Sequence, residues 1–206
     1  MLTVWGRINS INVQKVLWTL AETRVAYTRI DAGMKFGVND TPEYRAKNPT
    51  GLIPTIDDDG FVLWESNVIV RYLAAKHAPG TLYPEALEAR FLAERWMDWQ
   101  TTAFSPAISP VFAGLVRNAP EFSAPATIEA ARMKSEACLA LLDAHLAEHA
   151  YMNGGAFSMA DIPVAATVNR WYRLPLPKEP RPHVERWMGL IRERPGFKAH
   201  LDMPLS

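Results

Sequence analysis

At 206 residues, 49% hydrophobic and 21% charged, the chain is long enough for one or two domains and for a substantial apolar core. Its 22 basic side chains balance 22 acidic ones, so no broad field draws in nucleic acid or an anionic membrane surface, and neither is an expected partner. A single cysteine builds no disulfide framework, and the opening MLTVWGRINS has neither the apolar stretch nor the small-residue cleavage pattern of a secretory leader, so a reducing cytoplasm is the expected location.

In chain order, a β-type run at Leu2 to Trp5 gives way to a helical stretch from Asn12 to Thr23, and a second run follows at Tyr27 to Ile30. Ser10 stands just before the first helix, where a hydroxyl ordinarily caps. Pro54 cannot donate to a strand ladder and must begin the strand Thr55-Ile56. An X-Pro bond at a strand entrance is a natural place for a cis peptide, which would turn both main-chain groups of Ile53 outward. Asp59-Gly60, between Ile56 and the run Phe61 to Trp64, reads as a hairpin turn whose glycine takes the positive φ the turn needs. The second strand of the hairpin runs straight into a helix that starts at Glu65-Ser66 and continues from Asn67 to Lys76. Ser66 is expected to cap it. Unpaired N–H groups at that end favour a carboxylate, and Glu65 can accept a hydrogen bond from an ammonium group. An anion seat, a cation partner and an open backbone edge suit an amino-acid-like ligand end followed by a peptide bond; taken alone, Ser66 reads as well as a plain cap and Glu65 as a solvated carboxylate.

Ala78-Pro79-Gly80 interrupts the pattern, so that 78–86 reads as a linker between a small α/β domain at 1–77 and an all-helical domain at 87–206. Leu92, Trp96, Trp99 and Ala103 share one helical face; Cys138, Leu142 and Leu146 share another. Trp99 to Val116 carries no charge and has the length of a bilayer span, but its hydroxyls and the pair Pro106 and Pro110 argue for a kinked helix inside a soluble protein. Phe157 to Ile162 reads as a helix start, with Ser158 capping, Asp161 at the third helical position, Phe157 stapled onto Ile162, and Pro163 at the fifth position distorting the first turn. Cys138 is expected to fill core, and no CxxC is present. His145 and His149 lie one turn apart without a third ligand, which reads as a solvated face, so no metal is expected. No phosphate-binding glycine pattern occurs.

IP at Ile53-Pro54, ES at Glu65-Ser66, NP-x-G-x-IP at Asn48 to Pro54 and WES-N-x-I-x-RYL at Trp64 to Leu73 stand at a separation that resembles the glutathione transferase superfamily, in its bacterial-type, serine-using, theta- and phi-like members. The resemblance spans nearly the whole chain. It implies an α/β thioredoxin-like N-terminal domain followed by an all-α C-terminal domain, with glutathione as co-substrate. Ser10 stands before Lys15-Val16 much as the serine of those members stands before a basic residue and Val, which implies a hydrogen bond from its hydroxyl to the glutathione sulfur. Asn12 is a second candidate donor and Asn9 a third. A thiol with a pKa of about 8.5 is mostly protonated at neutral pH, and a donor aimed at sulfur beside a helix N-terminus favours the thiolate. Nothing suggests a Ser-His-Asp nucleophile, since no His lies near Ser10 in sequence and no G-x-S-x-G elbow occurs.

By the same resemblance Ile53, with Pro54 in cis behind it, pairs with the cysteinyl residue, Glu65 and Ser66 hold the γ-glutamyl end, and Lys35 faces the glycyl carboxylate. Leu52 departs from the Gln, Lys or Arg that members often carry there, which removes a polar contact. The implied electrophile pocket lies between the domains, with Ile11 near the sulfur and Phe104, Ile108 and Phe112 along one face, an apolar wall for an apolar electrophile; each of these aromatics reads equally as core. The implied activity is thiolate addition, a detoxification chemistry, in a homodimer with Trp64 to Arg71 and Leu87 to Asp98 as contact surfaces. Alternatives are glutathione-dependent reduction of disulfides or peroxides, and a non-catalytic binding module, whose mark would be loss of the sulfur-site donor or of the ES pair; both are kept. An isomerase of the maleylacetoacetate type would carry serine-serine-cysteine where this chain has Asn9-Ser10-Ile11-Asn12.

Overall fold

Leu2 and Val4 alternate with Thr3 and Trp5, so β1 (Leu2–Trp5) has one buried apolar face. It pairs in parallel with β2 (Tyr27–Ile30) and antiparallel with β3 (Thr55–Asp58), which pairs antiparallel with β4 (Phe61–Trp64), giving the order β2-β1-β3-β4. Helices α1 (Ile11–Thr23) and α3 (Ser66–His77) pack against each other and bring Val13, Val16, Leu17, Leu20, Ile69 and Leu73 onto Leu2, Val4 and Ile56. A short α2 (Pro42–Lys47) precedes the strand entrance. This mixed sheet with its helices is the thioredoxin-like domain, and the structure in which it is seen, a computed structural model, describes residues 1–205.

Strand β3 runs two residues beyond the expected Thr55-Ile56. Acidic residues are tolerated in the ladder because their carboxylates have partners: Lys47 Nζ donates to Asp57 at 3.1 Å, and Asp58 accepts from Tyr72 Oη at 2.7 Å and from Lys76. The hairpin turn falls where Asp59-Gly60 predicts it, with φ of 52° and 94° between the closing pair Asp58 and Phe61.

The chain divides into one unit of Met1–Tyr83 with Pro195–Met203 and another that holds Pro84–Arg194. The expected helical domain at 87–206 therefore differs at its end. Helix α9 (Pro195–His200) docks on α1, where a Cβ on Gly196 would stand 2.5 Å from Trp18 Cδ1, and Phe197 meets the Trp18 ring edge-on at 5.5 Å. Only glycine permits that approach, and helical periodicity alone does not say which unit a helix will join. The last expected residue, Ser206, lies outside the described residues.

In the helical unit α4 (Leu87–Trp99) runs through a π turn at Gln100–Phe104 into α5 (Ser105–Val116), followed by α6 (Pro125–Glu148), α7 (Asp161–Tyr172) and α8 (Pro182–Arg192). The π turn is held by buried Gln100, whose Nε2 donates to Ser105 Oγ at 2.6 Å and Thr167 Oγ1 at 2.9 Å. Among the described residues no helix is long and apolar enough to cross a membrane. Pro163 proves to be the third residue of α7, where its missing N–H would have had no intrahelical partner, so the expected distortion has no cause.

Candidate active site

Three loops of the first unit converge at the C-terminal side of β1. After β1 the chain keeps pairing with β2's continuation, Gly6 N donating to Ile30 O at 2.9 Å and Arg7 N to Ala32 O at 3.1 Å. A Cβ on Gly6 would stand 2.4 Å from Val13 Cγ2, so the loop turns against α1 only because glycine is there. The turn delivers Ser10 to the N-cap of α1, with extended φ of −82° and ψ of 123° and its carbonyl accepting from Gln14 N at 2.8 Å. Its hydroxyl makes no cap hydrogen bond and, among the described residues, has no other protein partner. Ser10 is thus buried, at the positive end of a 13-residue helix, with its donor unused. Asn12 is exposed on the first turn and Ile11 beside it is half-buried.

Opposite this corner lies the strand entrance. The Ile53-Pro54 bond is cis, Pro54 is buried and Ile53 half-buried, and among the described residues neither main-chain group of Ile53 has a hydrogen bond within the protein. Gly33, at φ 89°, ties this segment to the loop before α1, since a Cβ there would stand 3.0 Å from Ile53 Cδ1 and 3.1 Å from Arg7 Nη1. Just beyond it Lys35 sits exposed in a 3-10 turn, Met34–Phe36, its ammonium 5.1 Å from the Phe36 ring centroid. Leu52 points its side chain to solvent.

At the third corner the expectation for Ser66 needs correction. The N-cap of α3 is Glu65, not Ser66, because the chain leaves β4 and turns into the helix at Glu65, whose φ is 70°. Ser66 is the first helical residue and is buried. Neither side chain caps the helix and neither has a protein partner among the described residues, so an exposed carboxylate and a hydroxyl both remain available at this N-terminus. Positive φ at a glutamate is a strained backbone, of the kind that gathers at binding sites. Buried Asn67, next in the helix, accepts from the buried Lys15 ammonium at 3.0 Å, tying the first turns of α3 to α1.

The description Glutathione S-transferase, N-terminal domain, matches residues 1–75, and Glutathione S-transferase, C-terminal domain, matches residues 125–202. Glutathione S-transferase GstB of Escherichia coli strain K12 is 41% identical over 208 residues covering all of both chains. The chain belongs to the glutathione S-transferase family. Glutathione S-transferase 3 of Zea mays is 34% identical, over 96% of this chain and 91% of its own. The crystal structure of the theta class glutathione S-transferase from the citrus canker pathogen Xanthomonas axonopodis pv. citri, with glutathione bound, has a TM-score of 0.94 and 46% identity, covering 100% of this transferase and 99% of that chain.

In this transferase, Ser10, Ile53, Pro54, Glu65 and Ser66 therefore belong to one unit, on loops tied together through Gly33, Arg7 and the Lys15–Asn67 bond. Phe104, Ile108 and Phe112 belong to the helical unit and are buried, Phe104 stacked on Trp99 at 5.2 Å and Phe112 with the Arg170 and Arg117 guanidinium groups at 4.1 and 4.9 Å from its ring centroid. Cys138 is half-buried, and burial pushes its thiol pKa up, away from the thiolate form. His145 is only partly exposed: its ring lies 4.6 Å from that of Trp96 and 4.5 Å from that of His149, Nε2 lies 3.1 Å from Met152 O, and burial lowers its pKa. No group of three or more metal-type ligands occurs among the described residues.

Tyr44, Asn48 and Thr55, none of them expected from the sequence, are all buried and surround the strand entrance. Asn48 lies inside the motif that carried the resemblance, and Thr41-Pro42 is a readable helix start, Thr41 Oγ1 accepting from Tyr44 N at 3.2 Å.

Proposed function

We propose that this glutathione transferase seats the tripeptide across the three corners, its cysteinyl residue paired with the Ile53 main chain, its γ-glutamyl end at Glu65 and Ser66, and its glycyl carboxylate toward Lys35. The sulfur then lies at the mouth of α1, where the Ser10 hydroxyl donates to it, with the Asn12 amide as a second donor. Such a donor beside the helix N-terminus favours thiolate over thiol, and each pKa unit by which the bound thiol falls is worth about 1.4 kcal/mol. The thiolate attacks the electrophilic carbon; a C–S bond forms as the leaving group, or the π bond attacked, takes the displaced electron pair. We place the apolar electrophile beside Ile11, next to the sulfur.

One observation carries this reading: Ser10 occupies an N-cap, the place where a serine hydroxyl normally bonds back to its own helix, and does not do so. The decisive measurement is the ultraviolet thiolate band of bound glutathione against pH. Ser10→Ala should move the bound thiol's pKa up by about one to two units, with a smaller shift for Asn12→Ala; no shift in either variant refutes the sulfur-site assignment. Product analysis completes the test, since a thioether marks transfer and oxidised glutathione marks reduction.

We further propose a homodimer in a reducing cytoplasm, working in detoxification. Supporting the pairing, Phe61 and Val68 are exposed in the first unit, and Leu87, Phe91 and Leu92 are exposed along α4 in the second.

A further inference from the structure

The segment before β3 uses its polar main-chain groups unevenly. Thr50 N donates to Asn48 Oδ1 at 3.1 Å, Gly51 N to Asn48 O at 3.1 Å, and Leu52 N to Thr50 Oγ1 at 3.2 Å; Gly51 O accepts from Asn39 Nδ2 at 2.7 Å. Leu52 O accepts twice, from Tyr44 Oη at 2.6 Å and Asn48 Nδ2 at 2.9 Å, which uses both of its lone pairs. The same two side chains reach past the proline to Thr55 Oγ1, at 2.7 and 3.0 Å. Ile53, between those two anchor points, is left open.

Geometry links the two facts. The peptide joining Leu52 to Ile53 is planar and trans, so its N–H points away from its C=O. Holding the Leu52 carbonyl toward the interior with two buried donors aims the Ile53 N–H outward. We propose that Tyr44, Asn48 and Thr55 form a buried clamp that sets the direction of the Ile53 main chain and so positions the cysteinyl residue of the tripeptide. Burial raises the Tyr44 pKa, against the opposing pull of the Thr55 and Asn48 side chains beside it, so the phenol stays protonated and remains a donor throughout the neutral range. All three are buried, and their role is to act through Ile53. The inference rests on the reading of Ile53 as the tripeptide's docking edge.

Tyr44→Phe keeps the ring and deletes both of its hydrogen bonds. Calorimetry on the full chain should show the dissociation constant for glutathione rising about tenfold. At saturating glutathione kcat should stay within about twofold and KM for the electrophile should not change, because the sulfur donors are untouched. A role confined to stability would lower the thermal midpoint and leave this split between binding and turnover unmoved. Thr55→Val, which leaves both donors on Leu52 O, should weaken binding about two- to threefold, and it carries the test if Tyr44→Phe does not fold. Wild-type affinity in a folded Tyr44→Phe, or a fall in kcat without a change in binding, overturns the clamp alone. A wild-type chain that takes up no glutathione overturns the docking reading beneath it.

Discussion

The helix starts of the two units are built to opposite ends. In the helical unit α7 begins at a carboxylate crowded with donors: Asp161 accepts from Met152 N at 2.9 Å, Ser158 N at 2.8 Å, Ser158 Oγ at 3.2 Å and Trp187 Nε1 at 3.0 Å. Helix α8 is capped from outside, Asp143 of α6 accepting from His183 N and Val184 N at 2.9 Å each. In the first unit α1 and α3 begin at Ser10 and at Glu65-Ser66, all able to cap, and none does. A satisfied N-terminus stabilises the fold; an open one at the mouth of a site keeps its donors for a ligand.

The largest effect is expected at Asp161. Asp161→Ala leaves Met152 N–H, Ser158 N–H and Trp187 Nε1–H buried without their acceptor and should cost about 3 kcal/mol of unfolding free energy in urea near pH 7. Thiol pKa and glutathione affinity of the folded fraction should stay at wild-type values. The carboxyl also gives the penalty a pH dependence. Its pKa is raised from 3.8 to about 6, burial outweighing the bonds from Met152, Ser158 and Trp187. The folded state therefore binds the proton more tightly, and the stability this brings is complete below 3.8 and lost as pH rises through about 6. The gap between wild type and Asp161→Ala should thus be wider at about pH 5 than at about pH 7.5. A gap that widens with rising pH would refute the raised pKa.

Smaller, and opposite in kind, is Ser66→Ala. Because the Ser66 hydroxyl serves no helix bond, its removal should leave the urea midpoint within about 0.5 kcal/mol of wild type. Glutathione binding should weaken about tenfold, through loss of one hydrogen bond to a charged ligand group. A loss of stability with unchanged affinity would make this helix start like that of α7 and remove the contrast.

What was legible in the sequence follows the same division. The hairpin at Asp59-Gly60, the strand entrance at Ile53-Pro54 and the helix starts near Ser10 and Glu65 are local, set by which residues accept a turn, lack a donor or offer a cap, and they stand where the residues predict them. The docking of α9 was not legible, because the lack of a side chain at Gly196 matters only once Trp18, far away in sequence, lies against it. Nor was the ring of Tyr44, Asn48 and Thr55 around Leu52 O, since hydrogen bonds among residues 4 to 11 apart in an irregular segment follow no periodicity. The identity of the α3 cap was missed for a narrower reason. Serine is the better capping residue, and preference assigned the cap to Ser66, whereas the chain's path out of β4 makes Glu65 the turning point at φ 70°.

That turning point supplies the smallest effect and the finest test. Any residue with a Cβ at φ 70° carries strain of order 1 kcal/mol, and glycine does not. Glu65→Ala and Glu65→Gly both delete the carboxylate, so the two should lose affinity for glutathione about equally, while Glu65→Gly should unfold about 1 kcal/mol later in urea than Glu65→Ala. Glycine's greater freedom in the unfolded chain works against this difference, which makes its sign informative. If Glu65→Gly is the more stable of the pair, the helix start is held in a conformation that costs stability and serves to present the Glu65 carboxylate. If Glu65→Ala is the more stable, the backbone at Glu65 is relaxed, and the open N-terminus of α3 differs from that of α7 only in lacking side-chain acceptors.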